Sequence, residues 1–271
     1  MPITINDHGH GNVCRLDPDR FEDGAEISIR GNDNIVEIGP LVDLRAPRIH
    51  IQGDGNLIRL ATGPAQIEEP PIESLRPFLL QRETREPEIA ILGNRNRIEA
   101  GHHNELYDST VQIVGERNTV RLGSRVKAHV KIDFDTSGAL FEVGDCTTCV
   151  AMQAALHEPR AIRIGKDCQL AADIYITVSD THPIFDIASG ARINQGRDIS
   201  IGDHVWLCYR TVILKGSNIG SGSIVGTCGV VTGAIPENCC AVGNPARVVR
   251  ENVTWTRELG DLRHARAAGQ A

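Results

Sequence analysis

The residues best suited to chemistry in this chain lie in one polar stretch, Ser179-Asp-Thr-His-Pro-Ile-Phe-Asp186. His182 carries an imidazole, the side chain whose ordinary titration range lets it take and return a proton near neutral pH. Asp180 and Asp186 flank it, and a carboxylate beside an imidazole can orient the ring and stabilise its protonated form. The same stretch also reads as a solvated loop in which a histidine happens to precede a proline. Trp206 follows 24 residues after His182, in Asp203-His-Val-Trp206. The eight cysteines are scattered, and only Cys146-Thr-Thr-Cys149 has the spacing of a metal-binding pair. No second such pair completes a four-ligand set, so small buried thiols are expected and no metal site is.

A regular scaffold must hold these groups. From Ile201 to Val231 an aliphatic residue returns every six positions, at Ile201, Leu207, Ile213, Ile219, Val225 and Val231. A helix repeats near 3.6 and a half-buried strand at 2, so neither accounts for this spacing. A six-residue period is that of a parallel β-helix, in which each hexad is a strand plus a corner and stacked coils bury a continuous aliphatic column. The beat begins near Ile162, with Ile164, Leu170 and Ile176 in step, and fails over 177–200, which predicts a loop projecting from the solenoid.

Residues 1–125 carry a looser repeat, as in Ile27-Ser-Ile-Arg-Gly-Asn-Asp-Asn34 and Val111-Gln-Ile-Val-Gly-Glu-Arg-Asn118; Gly31 to Gly53 and Gly93 to Gly115 are each 22 residues apart. Alternation on both sides of Gly-x-x-Asn predicts strand, corner, strand, with Gly and Asn supplying left-handed backbone. The Pro- and acid-rich stretch at 62–87 is expected to leave the solenoid, with a helix over Glu73–Arg85. The regular region spans 126–250. Residues 251–271 are expected to form a short C-terminal helix and tail capping the open end, with Thr254 as N-cap. The fold class is thus all-β.

Aromatics make up only 4% of the residues and Gly numbers 27, which suits a narrow aliphatic core with tight corners. A net charge of -7 argues against a nucleic-acid partner. No apolar run is long enough for a membrane span and no signal-peptide pattern opens the chain, so a cytoplasmic protein is expected.

The runs SDTHPIFD, INQGRDISIGDHVWL, ILKGSNIGSGSIVG and AVGNPARVVRENVTWTRE resemble the hexapeptide-repeat acyltransferases, nearest the branch that O-acetylates bacterial polysaccharides including capsular sialic acid. The resemblance implies a left-handed parallel β-helix acting as a homotrimer, with acetyl-CoA as donor, a glycan or its sugar precursor as acceptor, direct transfer and no metal. His182 would be the general base, with Trp206 lining the reaction site and the Tyr209 backbone amide as oxyanion donor. Gly226, Thr227, Thr232 and Gly233 would lie along coenzyme A, with Arg247 and Arg250 near its phosphates, where guanidinium forks are suited. Positions 233, 208 and 228, usually Lys, Gly and Gly, are here Gly, Cys and Cys. The sugar-contacting Asn of the maltose and galactoside branch falls near Met152, so a free disaccharide acceptor is not expected.

Three other readings stand beside O-acetyl transfer: an N-acyltransferase acting on an amino-sugar nucleotide, a γ-type carbonic anhydrase, and a non-catalytic solenoid scaffold. The anhydrase needs three histidines around zinc, and His157, His182 and His204 do not have that spacing.

Overall fold

The structure, a computed structural model, describes residues 3–16, 24–39, 42–43, 46–61 and 87–257. Among them every regular element is a strand, and the strands stack as the coils of a three-faced parallel prism. On the first face Ile3–Asp7 pairs with Ala25–Arg30, which pairs with Arg48–Gln52, and the ladder continues to Val230–Val231. The second face is an unbroken ladder of ten strands from Val13–Leu16 to Ala234–Ile235. The third carries Asn104–Leu106, Gln169–Leu170, Trp206–Leu207, Ile224–Val225 and Cys240–Val242. Lys127–Asp135 and Thr148–Leu156 run through the corner joining the third face to the first, with a register shift between Ala128 and Val130.

The six-residue beat is the passage from face to face. Ile201, Leu207, Ile213, Ile219, Val225 and Val231 are each no more than 2% exposed. Three hexads close a coil, so Trp206 stacks on Ile224, 18 residues on. Coils nearer the N-terminus are longer: Ile27 stacks on Ile49, 22 residues on. The 62–87 stretch and the helix anticipated over Glu73–Arg85 fall outside the described residues, apart from Pro87. The strands on either side of it pair directly, Ile49 with Ile89 and Ile58 with Ile98, so the stack continues across it.

The Gly-x-x-Asn corners differ from expectation in an informative way. Gly31, Gly53, Gly93 and Gly115 have φ of 128–141°, and an added Cβ at each of the first three would collide with the carbonyl of the next one down the stack. The asparagines, however, are not left-handed; that role falls to the residue before them, Asp33, Gly55, Arg95 and Arg117. Each asparagine instead turns inward. Asn34, Asn56, Asn96 and Asn118 are at most 1% exposed and form a ladder. Asn56 donates from its backbone (3.0 Å) and side chain (3.0 Å) to Asn34 Oδ1, accepts at its own Oδ1 from Asn96, and donates to Gly93 O at 2.9 Å. Buried amides are tolerated only when satisfied, and here every coil satisfies the next.

The C-terminal region also departs from expectation. Residues 251–257 are not helical, and Trp255 is buried at 6% exposure. A strand at Arg247–Arg250 turns back antiparallel on Cys240–Val242, and the following strap is held by side-chain contacts that local helix propensity does not outweigh. Residues 258–271, including the rest of the anticipated helix, lie outside the described part.

Asn56→Ala breaks the ladder at its centre, leaving buried groups on Asn96 and Gly93 without partners, while Asn34 Oδ1 keeps its bond from the backbone amide of residue 56. A loss of about 1–3 kcal/mol per orphaned group is expected, read as a lower urea midpoint; an unchanged midpoint would show the ladder to be energetically idle.

Candidate active site

One corner of the prism, between the first and second faces, carries the asparagine ladder, and from the same corner the chain leaves the stack. Strand Ile174–Thr177 ends there and Ile199–Ile201 resumes, with a long loop between. Two anchors tie the loop down. Glu158, from the preceding coil, accepts from Ser179 Oγ (2.7 Å), Arg192 (2.7 Å) and the Gly196 amide (3.0 Å), so it grips both stems. Burial pushes its pKa up, yet those three donors outweigh burial and hold the carboxyl below its ordinary value. Lys215, from the following coil, pairs with Asp180 and donates to Asn194 O at 2.8 Å. Lys215, with Asn194, likewise holds the Asp180 carboxyl below its usual range.

His182 is exposed at the outer part of this loop, and no hydrogen bond to its ring is present among the described residues. Neither flanking carboxylate reaches it. Asp180 is engaged by Lys215 and Asn194, and Asp186 caps the turn at Ser189, accepting from its amide (2.7 Å) and hydroxyl (2.6 Å). Both aspartates therefore shape the loop. Ile184, Phe185, Ile187 and Ile193 make its outer surface apolar, with Ile187 fully exposed.

Trp206 lies half-buried on the third face, the one face that the loop corner does not border. Within one chain the structure thus does not bring His182 and Trp206 together. Trp206 meets Trp255 of the strap instead, with ring centroids 6.0 Å apart. Trp255 stacks on His204 at 4.3 Å and 9°. His204 Nδ1 lies 2.7 Å from Asp167, its Nε2 lies 3.1 Å from Trp255 O, and Arg257 joins the cluster at 3.0 Å from Asp167. Both neighbours of the His204 ring are acceptors, so only the imidazolium satisfies both. The Asp167 hydrogen bond raises the His204 pKa accordingly.

Tyr209 sits at the next corner, between the third and first faces. The amides on either side are spent, Cys208 on Val225 O and Arg210 on Ala172 O, while that of Tyr209 has no acceptor among the described residues. Gly226 and Thr227 occupy the same corner one coil on, where the Cys228 amide donates to Tyr209 O. Thr232 and Gly233 lie back at the loop corner, and an added Cβ at Gly233 would meet nothing within 4 Å. Arg247 and Arg250 are exposed on the antiparallel strand of the third face.

The remaining candidates resolve simply. Cys149, Cys168 and Cys239 are buried thiols, and burial drives the pKa of Cys168 up to about 12, but contrary to expectation Cys14, Cys146, Cys208 and Cys240 are only half-buried and Cys228 is exposed. Among the described residues no group of three or more His, Cys, Asp or Glu could hold a metal. His157 Nδ1 is 3.2 Å from Thr181 Oγ1, whereas His204 is committed to Asp167 and the strap. Sequence reasoning missed Glu158, Asn194, Lys215 and the His204–Trp255 strap. The partners of Glu158, Lys215 and the strap lie 21 to 51 residues away along the chain, and those of the Asn194 side chain lie up to 14 residues back across an irregular loop, so no periodic signal marks them.

No family model matches the chain. It is 32% identical over 177 residues to the polysialic acid O-acetyltransferase of Neisseria meningitidis, covering 65% of this chain and 82% of that protein. Over 136 residues it is 35% identical to the polysialic acid O-acetyltransferase of Escherichia coli O1:K1 / APEC, a match covering 49% of this chain and 44% of that protein's length. Among solved structures, the polySia specific acetyltransferase NeuO superposes with a TM-score of 0.58 at 23% identity, covering 98% of this chain and 97% of that one. At that identity the likeness concerns the fold, a left-handed β-helix.

The strap is expected to respond to pH. Because the folded-state pKa of His204 is raised, its contribution is full below the unfolded value of about 6.5 and disappears as pH rises through the folded value. A protonated imidazole stacked on indole quenches fluorescence. Emission from the two tryptophans should therefore rise in a step centred above the ordinary imidazole value of about 6.5 as the pH is raised, and His204→Gln should remove the step. A step that persists in the variant would assign it to another group.

Proposed function

The chain belongs to the hexapeptide-repeat acyltransferases, in the branch of the polysialic acid O-acetyltransferases, and on that premise we propose that it transfers an acetyl group from acetyl-CoA directly to a hydroxyl of a bacterial polysaccharide or its sugar precursor. The observation that carries this reading is His182: an exposed imidazole, free of ring partners among the described residues, on a loop clamped at both stems. In the reaction the His182 imidazole takes the acceptor's hydroxyl proton as the oxygen attacks the thioester carbonyl. The unspent Tyr209 amide is suited to the oxyanion of the tetrahedral intermediate. Collapse of that intermediate breaks the carbon–sulfur bond, and the imidazolium returns its proton to the departing thiolate.

Coenzyme A would run along the Tyr209–Thr227 corner, with Arg247 and Arg250 near its phosphates. His182 and Trp206 lie on non-adjacent parts of one prism, which supports an oligomer, a homotrimer in this reading, with the loop of one copy facing the third face of the next. The apolar loop surface around Phe185 and Ile187 suits burial by a neighbouring copy. No helix among the described residues is long and apolar enough to cross a membrane. The proposed place of action is the cytoplasm, where acetyl-CoA is available.

Mass spectrometry of polysialic acid and other surface glycans after incubation with acetyl-CoA tests the assignment; acetylation of amino sugars alone would instead indicate N-acyl transfer. His182→Ala is expected to lower turnover about 100- to 10,000-fold with unchanged coenzyme A binding, and near-native turnover would overturn the base assignment. Gly233→Lys fits without steric conflict and is expected to tighten coenzyme A binding by up to about fivefold, lost in high salt. Unchanged affinity in calorimetry would place the phosphates elsewhere.

A further inference from the structure

The backbone next to His182 is strained. Thr181, a β-branched residue, has φ of 66°, a conformation that persists only where the surroundings over-determine it. The side chain that does most to fix this region is Asn194, which is 7% exposed. Its Oδ1 accepts from the Ile184 amide at 2.7 Å and from Arg192 Nε at 3.2 Å. Its Nδ2 donates to His182 O at 2.9 Å and to Asp180 Oδ2 at 2.8 Å. Two donors face the oxygen and two acceptors face the nitrogen, so the orientation of the amide is fixed by its partners.

The geometry points to Asn194 as the positioning residue for His182. Asn194 holds the carbonyl of His182 and the amide of Ile184, the two backbone groups on either side of Pro183. Pro183 has no N–H and a ring-fixed φ, so these two bonds determine the course of the chain through the His-Pro-Ile turn. Lys215 then ties both Asn194 and Asp180 to the next coil of the prism. The line of restraint therefore runs from the rigid scaffold through Lys215 and Asn194 to the backbone that aims the imidazole. No side chain needs to touch the ring, in keeping with the engagement of Asp180 and Asp186 elsewhere. An aspartate at 194 would keep the acceptor, lose both donors and set a like charge against Asp180; only the amide serves all four partners.

This role rests on the proposed acetyl transfer, and the test separates the two. Asn194→Ala and Asn194→Asp should each lower kcat about 100-fold through misplacement of His182, with coenzyme A affinity by calorimetry and the urea midpoint close to those of the parent. Placed in a His182→Ala background, the same substitutions should cost no further turnover, because they act through the residue already removed. Independently of activity, hydrogen exchange at the Ile184 amide should be slow in the parent and faster in Asn194→Ala. If the parent transfers no acetyl group, the functional reading fails and the exchange measurement alone decides the clamp. Turnover within about twofold of the parent, an equal loss in the His182→Ala background, a loss traced to unfolding or weaker coenzyme A binding, or unchanged exchange at Ile184 would each overturn the inference.

Discussion

Every coil of this protein donates its backbone hydrogen bonds to the coil beside it, and that single constraint governs the rest. Because neighbours must match in register, each face repeats the same inward aliphatic positions and each corner must turn the chain in the same place. Where the N-terminal coils are 22 residues long, the extra length is absorbed at a corner whose glycine leaves no room for a Cβ and whose asparagine turns inward to satisfy the coils above and below. Where the coils shorten to 18 residues, a buried serine holds that corner instead: Ser217 Oγ lies 2.6 Å from Leu214 O and 3.0 Å from Val231 O of the next coil. The outward positions of the second face alternate in sign, as in Arg59 beside the largely buried Glu37 and Arg163 beside Glu142, which neutralises the face; the more exposed pairs, such as Arg163 with Glu142, contribute little individually.

A scaffold so regular has no freedom to make a catalytic cleft from its own coils. The chemistry must come from departures, and among the described residues two stand out. At the asparagine corner the chain leaves the stack and presents His182 on a loop held by Glu158 on one side and Lys215 on the other. On the third face the terminal strap crosses back, burying Trp255 against His204 beside Trp206. The first departure offers a proton acceptor, the second an aromatic wall and, at the adjoining corner, an unspent amide. In the proposed reading each is half of a site.

The fold was legible because a six-residue beat and a 22-residue interval are local signals that chance rarely sustains, and the loop was legible as the place where the beat stops. The corner chemistry was half legible. Gly-x-x-Asn marked the turn, but the left-handed residue is the one before the asparagine, whose own role is set by a partner 22 residues away. The terminal strap defeated local reasoning: helix propensity after Thr254 was a fair prior, yet Arg257 bonds to Thr148, 109 residues back, at 2.8 Å. Glu158, Asn194 and Lys215 went unnoticed for the same reason, since a lone polar residue announces its role only through partners that the fold supplies.

The central claim is that a complete site joins the loop of one copy to the third face of another. Mixing chains that carry His182→Ala with chains that carry Trp206→Ala, then refolding them into common oligomers, tests it directly. Each parent alone should be nearly inactive, and the mixture should recover acetyl transfer well above the sum of the two, because some interfaces regain an intact His182 opposite an intact Trp206. A mixture no more active than its parents would contradict the account.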